Sequence, residues 1–311
     1  MDNLGLGYDS LRKINPKLIM TSITPFGQEG PKSQYKDSDL VATANSGYLY
    51  ITGDADRPPV RMGVPQAYFH AGTEAAVASI IALYNRNRTG KGQHVDVSIQ
   101  ASLARNLLNA TIFYNVNKVV LKRAGAFRTG LSSAANQRMY WYCKDGYVVF
   151  ALFGGVHGAP TNKALTDWMD SEAMASRFMK EMDWLKFDMA TATQENFDLI
   201  AESIEAFFKV HTMEELWQGG FSRGMMLYPL NTVEQTMVDP QLKARDFWQE
   251  VEHSELNDII IYPGDWVKLS NNPCCKRCRA PLIGEHNQDI YIEGLGYSER
   301  DLVLLKQAKV I

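Results

Sequence analysis

The sequence has few cysteines, no large excess of charge of one sign and no hydrophobic run long enough to cross a bilayer. Four Cys among 311 residues fit a reducing compartment. Lys and Arg total 32 against 35 Asp and Glu, so no broad cationic field exists for nucleic acid or an anionic membrane. The N-terminus lacks the apolar segment of a signal peptide. These absences predict a cytoplasmic globular protein whose anionic ligands are bound by local sites.

The cysteines give weak support for a metal site. Cys274, Cys275 and Cys278 are clustered, and Cys143 is the only other thiol in the sequence. A structural zinc site needs four ligands, and no second CxxC or HxxxH pair follows the cluster. We therefore predict free thiols and no metal, with a partial zinc site as the alternative.

The first third of the chain alternates between strand-like and helix-like patterns. Leu18–Ile23 is a short apolar run that predicts a strand buried on both faces, and DSDLVATANSG predicts a short helix with a glycine stop. The stretch Ala71–Tyr84 is apolar on every side and predicts a central buried helix. The segments HVDVSI and SLARNLLNATIFYNVNKVVL predict a further strand and one long amphipathic helix. This alternation indicates a three-layer α/β architecture with mainly parallel strands.

The pattern changes from about residue 140. Two strands, MYWYC and GYVVFALFG, are joined by a turn at residues 144–146, and polar helices rich in Met and Trp follow to about residue 233. This predicts a second, smaller α+β domain. The remainder predicts two short strands, FWQEVEH and DIIIYPG, and a closing helix, SERDLVLLKQ.

Several segments, taken in order, resemble the class III CoA-transferases. They are PKLIMTSITPFGQEGP, DLVATANSG, ITGDADRPPVRMGVP, YNRNRTGKGQHVDVSIQ and RAPLIGEHNQDIYIEGLGYSERDLVLLKQAKVI. The order and spacing of RTGKGQ and GEH make the resemblance specific, and it runs from about Leu4 to Ile311. This family includes formyl-CoA, carnitine and benzylsuccinate CoA-transferases, with α-methylacyl-CoA racemase as a relative. SITPFGQ and VPQAYFHAG resemble the benzylsuccinate branch in particular.

The resemblance implies an incomplete Rossmann-like large domain built from both ends of the chain, a small middle domain, and two subunits interlocked like links. Residues 1–135 would begin the large domain, 136–235 form the middle domain, and 236–311 return to complete the large domain. Met1 aligns where family members have already completed their first strands and helices. We therefore expect a truncated reading of a longer gene, or elements supplied by a partner.

The chemistry implied by the resemblance depends on one aspartate. Its carboxylate attacks an acyl-CoA thioester, forms a mixed anhydride, and then carries CoA as an enzyme thioester before CoA passes to an acceptor acid. This aspartate belongs to a VPxAD pattern, and its position here is Tyr68. A phenol has no carbonyl carbon and cannot become a CoA thioester. The racemase relatives use a His beside an Asp, and here Ser38 precedes Asp39.

Three other carboxylates are possible substitutes for this aspartate. Glu74 lies six residues after Tyr68, about 240° around a helix, so it is expected to point elsewhere. Asp54 and Asp56 lie in the GDADRPP segment, which is typical of a solvated turn. One of these three carboxylates acting as the nucleophile is therefore kept as an alternative.

Four residues are candidates for binding CoA or substrate. Lys36 aligns with a lysine that contacts CoA in formyl-CoA transferases; the alternative is a solvated surface lysine. Arg61 is suited to a substrate carboxylate or to a structural ion pair. His70 is suited to a ligand or to a bond at the helix start. Gln66 together with Tyr68 could line a site for a thioester carbonyl, or Tyr68 could be a packing residue.

Two main readings follow from this pattern. The chain is either an active CoA-transferase that uses another carboxylate, or a non-catalytic subunit that pairs with a homologue carrying the missing aspartate; Tyr68 favours the second. Acyl-CoA and a carboxylic acid are the expected ligands, with no covalently bound cofactor, and a homo- or hetero-dimer is the expected assembly. A third reading is an acyl-CoA-binding structural subunit without activity or a truncated pseudo-enzyme. The acid could be an aryl- or alkyl-succinate.

Overall fold

The structure is a computed structural model that describes residues 1–107, 109–129, 135–271 and 278–311. These residues form a mixed α/β fold with small sheets, which confirms the predicted class. The described chain divides into two compact units, Met1–Leu230 and Asn231–Ile311. Within the first unit, two separate hydrophobic clusters define a first region, residues 1–129, and a middle region, residues 135–230. The domain division at residues 135 and 235 stays a prediction.

The first region begins with helix α1 and strand β1 and continues through four helices and two strands. Their bounds are α1 (Tyr8–Ile14), β1 (Met20–Thr24), α2 (Asp39–Asn45), α3 (Ala67–Thr89), β2 (His94–Ser98), α4 (Ile99–Asn106), α5 (Asn109–Asn117) and β3 (Phe127–Thr129). Strands β1 and β2 are parallel, with Met20 opposite His94 and Thr24 opposite Ser98. Single 3-10 turns span Asp2–Leu4 and Leu49–Ile51.

Helix α3 covers the β1–β2 sheet with a stripe of alanines. Ala67, Ala71, Ala75 and Ala82 are buried, and Ser79 bonds Thr21 of β1 through their hydroxyls at 2.7 Å. Small side chains on one helix face allow the helix to approach the sheet closely. The helix ends at Gly90, whose φ of +72° suits a residue without a Cβ.

The prediction of a fully buried helix at Ala71–Tyr84 is wrong for the described chain. Ile80, Ile81 and Tyr84 are each more than 60% exposed, because only the alanine stripe faces a neighbouring element. The prediction that strand β1 is buried on both faces is also wrong. Ile23 is 47% exposed, since α3 covers one side of a sheet that has two strands in the described residues.

The predicted single helix over residues 102–121 is two helices. α4 ends at Asn106, and the backbone turns at Leu107, where the N–H of Ala110 donates to the Leu107 carbonyl at 2.7 Å. Asparagine is a weak helix former because its side chain competes for hydrogen bonds, and the Asn106 amide is drawn to His70 instead. Because of this interruption, α4 and α5 contribute separately to the wall of one cavity.

The middle region confirms the predicted antiparallel pair. Its elements are β4 (Asn136–Arg138), β5 (Tyr140–Tyr142), β6 (Tyr147–Phe150), α6 (Gly155–Ser171), α7 (Arg177–Glu181), α8 (Gln194–Val210), α9 (Met213–Ser222) and β7 (Leu227–Pro229). Tyr142 pairs with Tyr147 across the turn at 144–146, and the order in the sheet is β5-β6-β7. β4 pairs with β3. Phe207 and Phe208 of α8 are fully buried in edge-to-face contacts with Trp168 and Trp141.

The second unit contains the two predicted short strands, which pair antiparallel, and the predicted closing helix. Its elements are α10 (Val233–Met237), α11 (Pro240–Ala244), β8 (Trp248–His253), β9 (Asp258–Pro263), a π-helical segment (Gln288–Gly294) and α12 (Glu299–Gln307). Ser298 and Asp301 form a reciprocal capping box at the start of α12. Within the GEH segment, Glu285 accepts two hydrogen bonds from the Arg279 guanidinium, at 2.7 and 2.9 Å, which lowers the pKa of Glu285 to about 2.

Candidate active site at the start of helix α3

A buried aspartate holds the start of helix α3. Asp39 is 8% exposed, and its Oδ1 accepts the backbone N–H of Ala67 at 2.9 Å. Its Oδ2 lies 3.7 Å from Nε of Arg61. The first N–H groups of a helix have no partner within the helix, so a carboxylate here satisfies one of them and complements the helix dipole. By binding the N–H of Ala67, Asp39 also fixes the position of the next residue in the helix, Tyr68.

Tyr68 lies in the first turn of α3 with its side chain half exposed. Its hydroxyl has no hydrogen-bond partner within the described part of the chain. The position predicted for the family aspartate is thus an accessible helix start rather than a packed core position. A side chain here can meet a ligand that approaches from solvent.

His70 faces the next elements of the first region. Its Nδ1 lies 2.7 Å from the amide nitrogen of Asn106, and its ring centroid is 6.2 Å from that of Tyr48. An amide nitrogen only donates, so Nδ1 accepts this hydrogen bond and the ring proton of neutral His70 lies on Nε2. Both Asn106 and Tyr48 were missed from sequence, because they lie 36 and 22 residues from His70 and no local pattern joins them.

Gln66 and Lys36 make few contacts of their own. The Gln66 carbonyl accepts the N–H of His70 at 3.1 Å, but its side chain does not cap the helix. Lys36 is exposed and has no charged partner among the described residues. The structure therefore brings Arg61, Asp39, Tyr68 and His70 to one helix start, and it leaves Lys36 outside that set of contacts.

Asp37 is a candidate that sequence reasoning missed. Both of its carboxylate oxygens are buried, and neither has a hydrogen-bond partner within the described chain. Burial raises the pKa of Asp37; the adjacent backbone N–H of Ser38, which does not complete a hydrogen bond to the carboxylate, partly offsets this, and the charge of Asp39 adds to the increase. A carboxyl group of this kind is more readily protonated than a solvated one and is a candidate for proton or acyl chemistry.

The three carboxylates that could substitute for the family aspartate have different surroundings. Glu74 is paired with Arg105 at 2.6 Å. Asp54 packs against Gly125, and one of its oxygens lies 4.0 Å from Nε of Arg57. Asp56 is exposed. Glu74 and Asp54 thus have ionic neighbours, whereas Asp56 lies in solvent.

An open cavity of about 550 Å³ lies in the same region, lined by parts of α4 and α5 and by residues 48–53 and 121–128. Tyr48 and Asn106, which contact His70, form part of its wall. Side chains of α5 and of residues 121–128, apolar except for Lys122 and Arg128, form much of the rest. Its size is in the usual range for a small-molecule site. Tyr48 and Asn106 therefore link the polar helix start to this cavity.

The described residues contain no cluster of His, Cys, Asp or Glu with the arrangement of a metal site. Cys278 is exposed, and Cys274 and Cys275 lie outside the described residues. No helix in the described ranges is both long and apolar enough to cross a membrane.

Comparison with known proteins identifies the family. The model of CoA-transferase family III matches residues 1–287 of this chain. The chain belongs to CoA-transferase family III. Among its relatives is succinyl-CoA:(R)-benzylsuccinate CoA-transferase subunit BbsE of Thauera aromatica, which is 32% identical over 94% of this chain and 70% of that protein.

Two further relatives of this family III chain agree with the assignment. Succinyl-CoA:glutarate CoA-transferase of Homo sapiens is 28% identical over 99% of this chain and 67% of its own length. The solved structure of a CAIB/BAIF family protein from Brucella suis has a TM-score of 0.75 at 26% identity, over 94% of this chain and 72% of that one. The resemblance stated from the sequence motifs and the predicted fold class are confirmed. CoA-transferases of this kind take acyl-CoA as a substrate rather than as a covalently bound cofactor.

Proposed function

We propose that this chain is a subunit of a CoA-transferase that moves CoA between an acyl-CoA and a carboxylic acid, and that it does not carry the transferred CoA itself. One observation carries the proposal: Tyr68 occupies the half-exposed first turn of α3, where the family resemblance places the aspartate. The surrounding support, Asp39 on the helix start and Arg61 beside it, is present.

The balance of the family reaction explains why a tyrosine cannot take the aspartate's place. A carboxylate attacks the thioester carbonyl and CoA leaves as thiolate, giving a mixed anhydride. The thiolate then attacks the enzyme's acyl carbon and releases the donor acid, leaving an enzyme–CoA thioester. The acceptor carboxylate reverses these two steps. An acylated phenol offers only the substrate's own carbonyl carbon to the thiolate, so no enzyme thioester forms and the exchange stops.

The remaining groups suit binding rather than transfer. Arg61 has a 54% exposed side chain and keeps donors free to meet an anionic group beside Asp39. Lys36, Gln66 and His70 are proposed as further contacts for CoA or the acyl group. A homologous subunit that carries the aspartate would complete the enzyme, as an interlocked homo- or hetero-dimer.

The relatives suggest the substrate class. The names of two relatives include succinyl-CoA, and one of these relatives is a subunit of a succinyl-CoA:(R)-benzylsuccinate CoA-transferase. We therefore propose succinyl-CoA or a similar thioester as donor and an aryl- or alkyl-succinate as acceptor. A cytoplasmic location stays a prediction.

The test is to find which chain carries CoA during turnover. The complex is captured from source cells through a C-terminal tag, mixed with succinyl-CoA, quenched in acid and examined by mass spectrometry of each intact subunit. We expect the mass of CoA on a homologous partner chain and none on this chain. Tyr68→Phe is expected to leave the adduct and the turnover unchanged. An adduct on this chain would overturn the proposal.

A second candidate, an active transferase with another carboxylate, is favoured by one observation. Asp37 is two residues from Asp39, and its buried oxygens lack hydrogen-bond donors in the described chain. In the same trapping experiment this candidate predicts a CoA adduct on the peptide containing Asp37. Asp37→Asn would abolish that adduct, and Asp56→Asn serves as the matched control.

A further inference from the structure

The cavity of about 550 Å³ lined by Tyr48 and Asn106 has walls of two kinds. Leu107, Phe113 and Phe127 supply apolar and aromatic surface, while Lys122 and Arg128 supply cations. A second cavity of about 350 Å³ shares Leu107 and Ala110 with the first. Sites for small molecules usually combine an apolar lining with a few polar groups that orient the ligand.

One wall of this cavity is fastened to the rest of the first region. The guanidinium of Arg123 donates to the carbonyl of Tyr50 at 2.9 Å and to that of Asp54 at 3.3 Å, and it stacks on the Tyr50 ring at 5.4 Å. The N–H of Gly125 donates to the Gly53 carbonyl at 2.9 Å. Gly125 has φ +56° and lies against Asp54, where a side chain would collide. The segment that carries Lys122 and Arg128 is therefore held in place before any ligand binds.

The two cations on this wall are available for an anion. Lys122 and Arg128 are exposed, and neither has a carboxylate partner among the described residues. Arg123, between them, is already used for backbone carbonyls. Two positive side chains over an aromatic cavity suit a molecule with an apolar body and a carboxylate.

We propose that this cavity binds the acid substrate, a dicarboxylate with an aryl substituent, and that it selects the substituent. The aryl group lies against Leu107, Phe113 and Phe127, and one carboxylate is bound by Lys122 and Arg128. The second carboxylate, which exchanges CoA, extends along Asn106 toward His70 and the start of α3. This inference rests on the proposed function and adds a specificity site to it.

The direct test is calorimetric titration of the tagged complex, with its co-purifying chains, using benzylsuccinate and glutarate as probes. Both acids carry two carboxylates, and only the first has an aryl group. We expect benzylsuccinate to bind at least about tenfold more tightly, since burial of an aromatic ring stabilises a complex strongly. Equal affinity for the two acids, or no binding of either, would overturn the inference.

Variants locate the binding to this cavity. Ala110→Leu fills the space shared by the two cavities and is expected to remove the preference for benzylsuccinate while leaving glutarate unchanged. Ala101→Leu, at an exposed position on α4 outside both cavities, is the matched control. Unchanged aryl preference in Ala110→Leu with intact folding would place the substituent elsewhere.

The cations are tested separately. The double variant Lys122→Gln, Arg128→Gln is expected to weaken both acids by about tenfold, because each side chain supplies a charge-assisted contact. Lys91→Gln, an exposed lysine away from the cavity, controls for the loss of charge. Equal weakening in this control would show a general charge effect and contradict the site.

A CoA titration of the same samples keeps this inference apart from the proposed function. Normal CoA binding with no cavity effect contradicts the substrate site alone. If the unmodified complex binds neither CoA nor the acids, the result contradicts the proposed CoA-transferase function as well as the substrate site.

Discussion

The first and middle regions use the same kinds of side chain in opposite ways. The middle region buries its large residues, among them Phe207, Phe208 and Ile204, each fully inaccessible. On α3, the first region buries four alanines and exposes Ile80 and Ile81. A core of large side chains stabilises its own fold, whereas a helix held by small ones depends on specific polar contacts at its ends. The candidate site lies in the second kind of structure.

The largest expected difference comes from removing one large side chain in each region. Phe207→Ala should lower the free energy of unfolding by about 3–5 kcal/mol, because it leaves a cavity in a closed aromatic cluster. Ile80→Ala should change it by less than about 0.5 kcal/mol, because Ile80 is 65% exposed. Urea titration followed by circular dichroism measures both. A large loss in Ile80→Ala would mean that this face is covered in the assembled protein and would break the comparison.

The polar contacts at the start of α3 should contribute less to the free energy of unfolding than the aromatic core of the middle region. Asp39→Ala removes the acceptor of the Ala67 N–H and the neighbour of Arg61, so we expect a loss of about 1–3 kcal/mol in the free energy of unfolding. Asp39→Asn keeps an oxygen at Oδ1 and should lose less. Asp56→Ala, at an exposed position, is the control. Equal stability of Asp39→Ala and the control would show that the helix start is held by other contacts.

Two carboxylates, one in each region, should change the stability of the fold in opposite directions as the pH rises. Burial raises the pKa of Asp37 above its ordinary value of 3.8, so folding favours the protonated form of this group. Asp37 therefore destabilises the fold increasingly as the pH rises from 3.8 through its folded-state pKa. The hydrogen bond from Lys209 lowers the pKa of Glu205, partial burial opposes this, and the charge of Arg138 lowers it further. Glu205 therefore stabilises the fold above its ordinary value of 4.5, and this is lost as the pH falls toward its folded-state pKa.

This contrast is measurable by thermal unfolding between pH 3 and pH 7. Asp37→Asn should raise the melting temperature at pH 7 and have a smaller effect at pH 3. Glu205→Gln should lower it at pH 7 and have a smaller effect at low pH. The same sign for both variants at pH 7 would contradict the difference between the two environments.

The smallest expected effect is that of an exposed ion pair on the first region. Glu74 and Arg105 join α3 to α4 at 2.6 Å, but the Arg105 side chain is 69% exposed. A double-mutant cycle with Glu74→Gln and Arg105→Gln should give a coupling of about 0.5 kcal/mol that decreases with salt. A coupling of several kcal/mol would indicate that Glu74 is shielded from water and would reopen it as a candidate nucleophile.

Some features of this protein were determined by short stretches of sequence. The closing helix that begins after Ser298 and the turn at 144–146 depend on neighbours within a few residues, so local chemistry was enough to predict them. The family motifs likewise placed Tyr68 at the start of a helix. Such features were predictable because the interacting groups are close together along the chain.

Other features were decided only by the tertiary structure. Asp39 reaches the N–H of Ala67 across 28 residues, Asn106 reaches His70 across 36, and Arg123 reaches the carbonyl of Tyr50 across 73. The apolar pattern of α3 gave no indication that alanines rather than isoleucines would face the sheet. Side-chain type records which groups can be buried, but the elements that pack together decide which of them are. The contacts that position the candidate site, and the cavity linked to it, therefore depend on the tertiary structure.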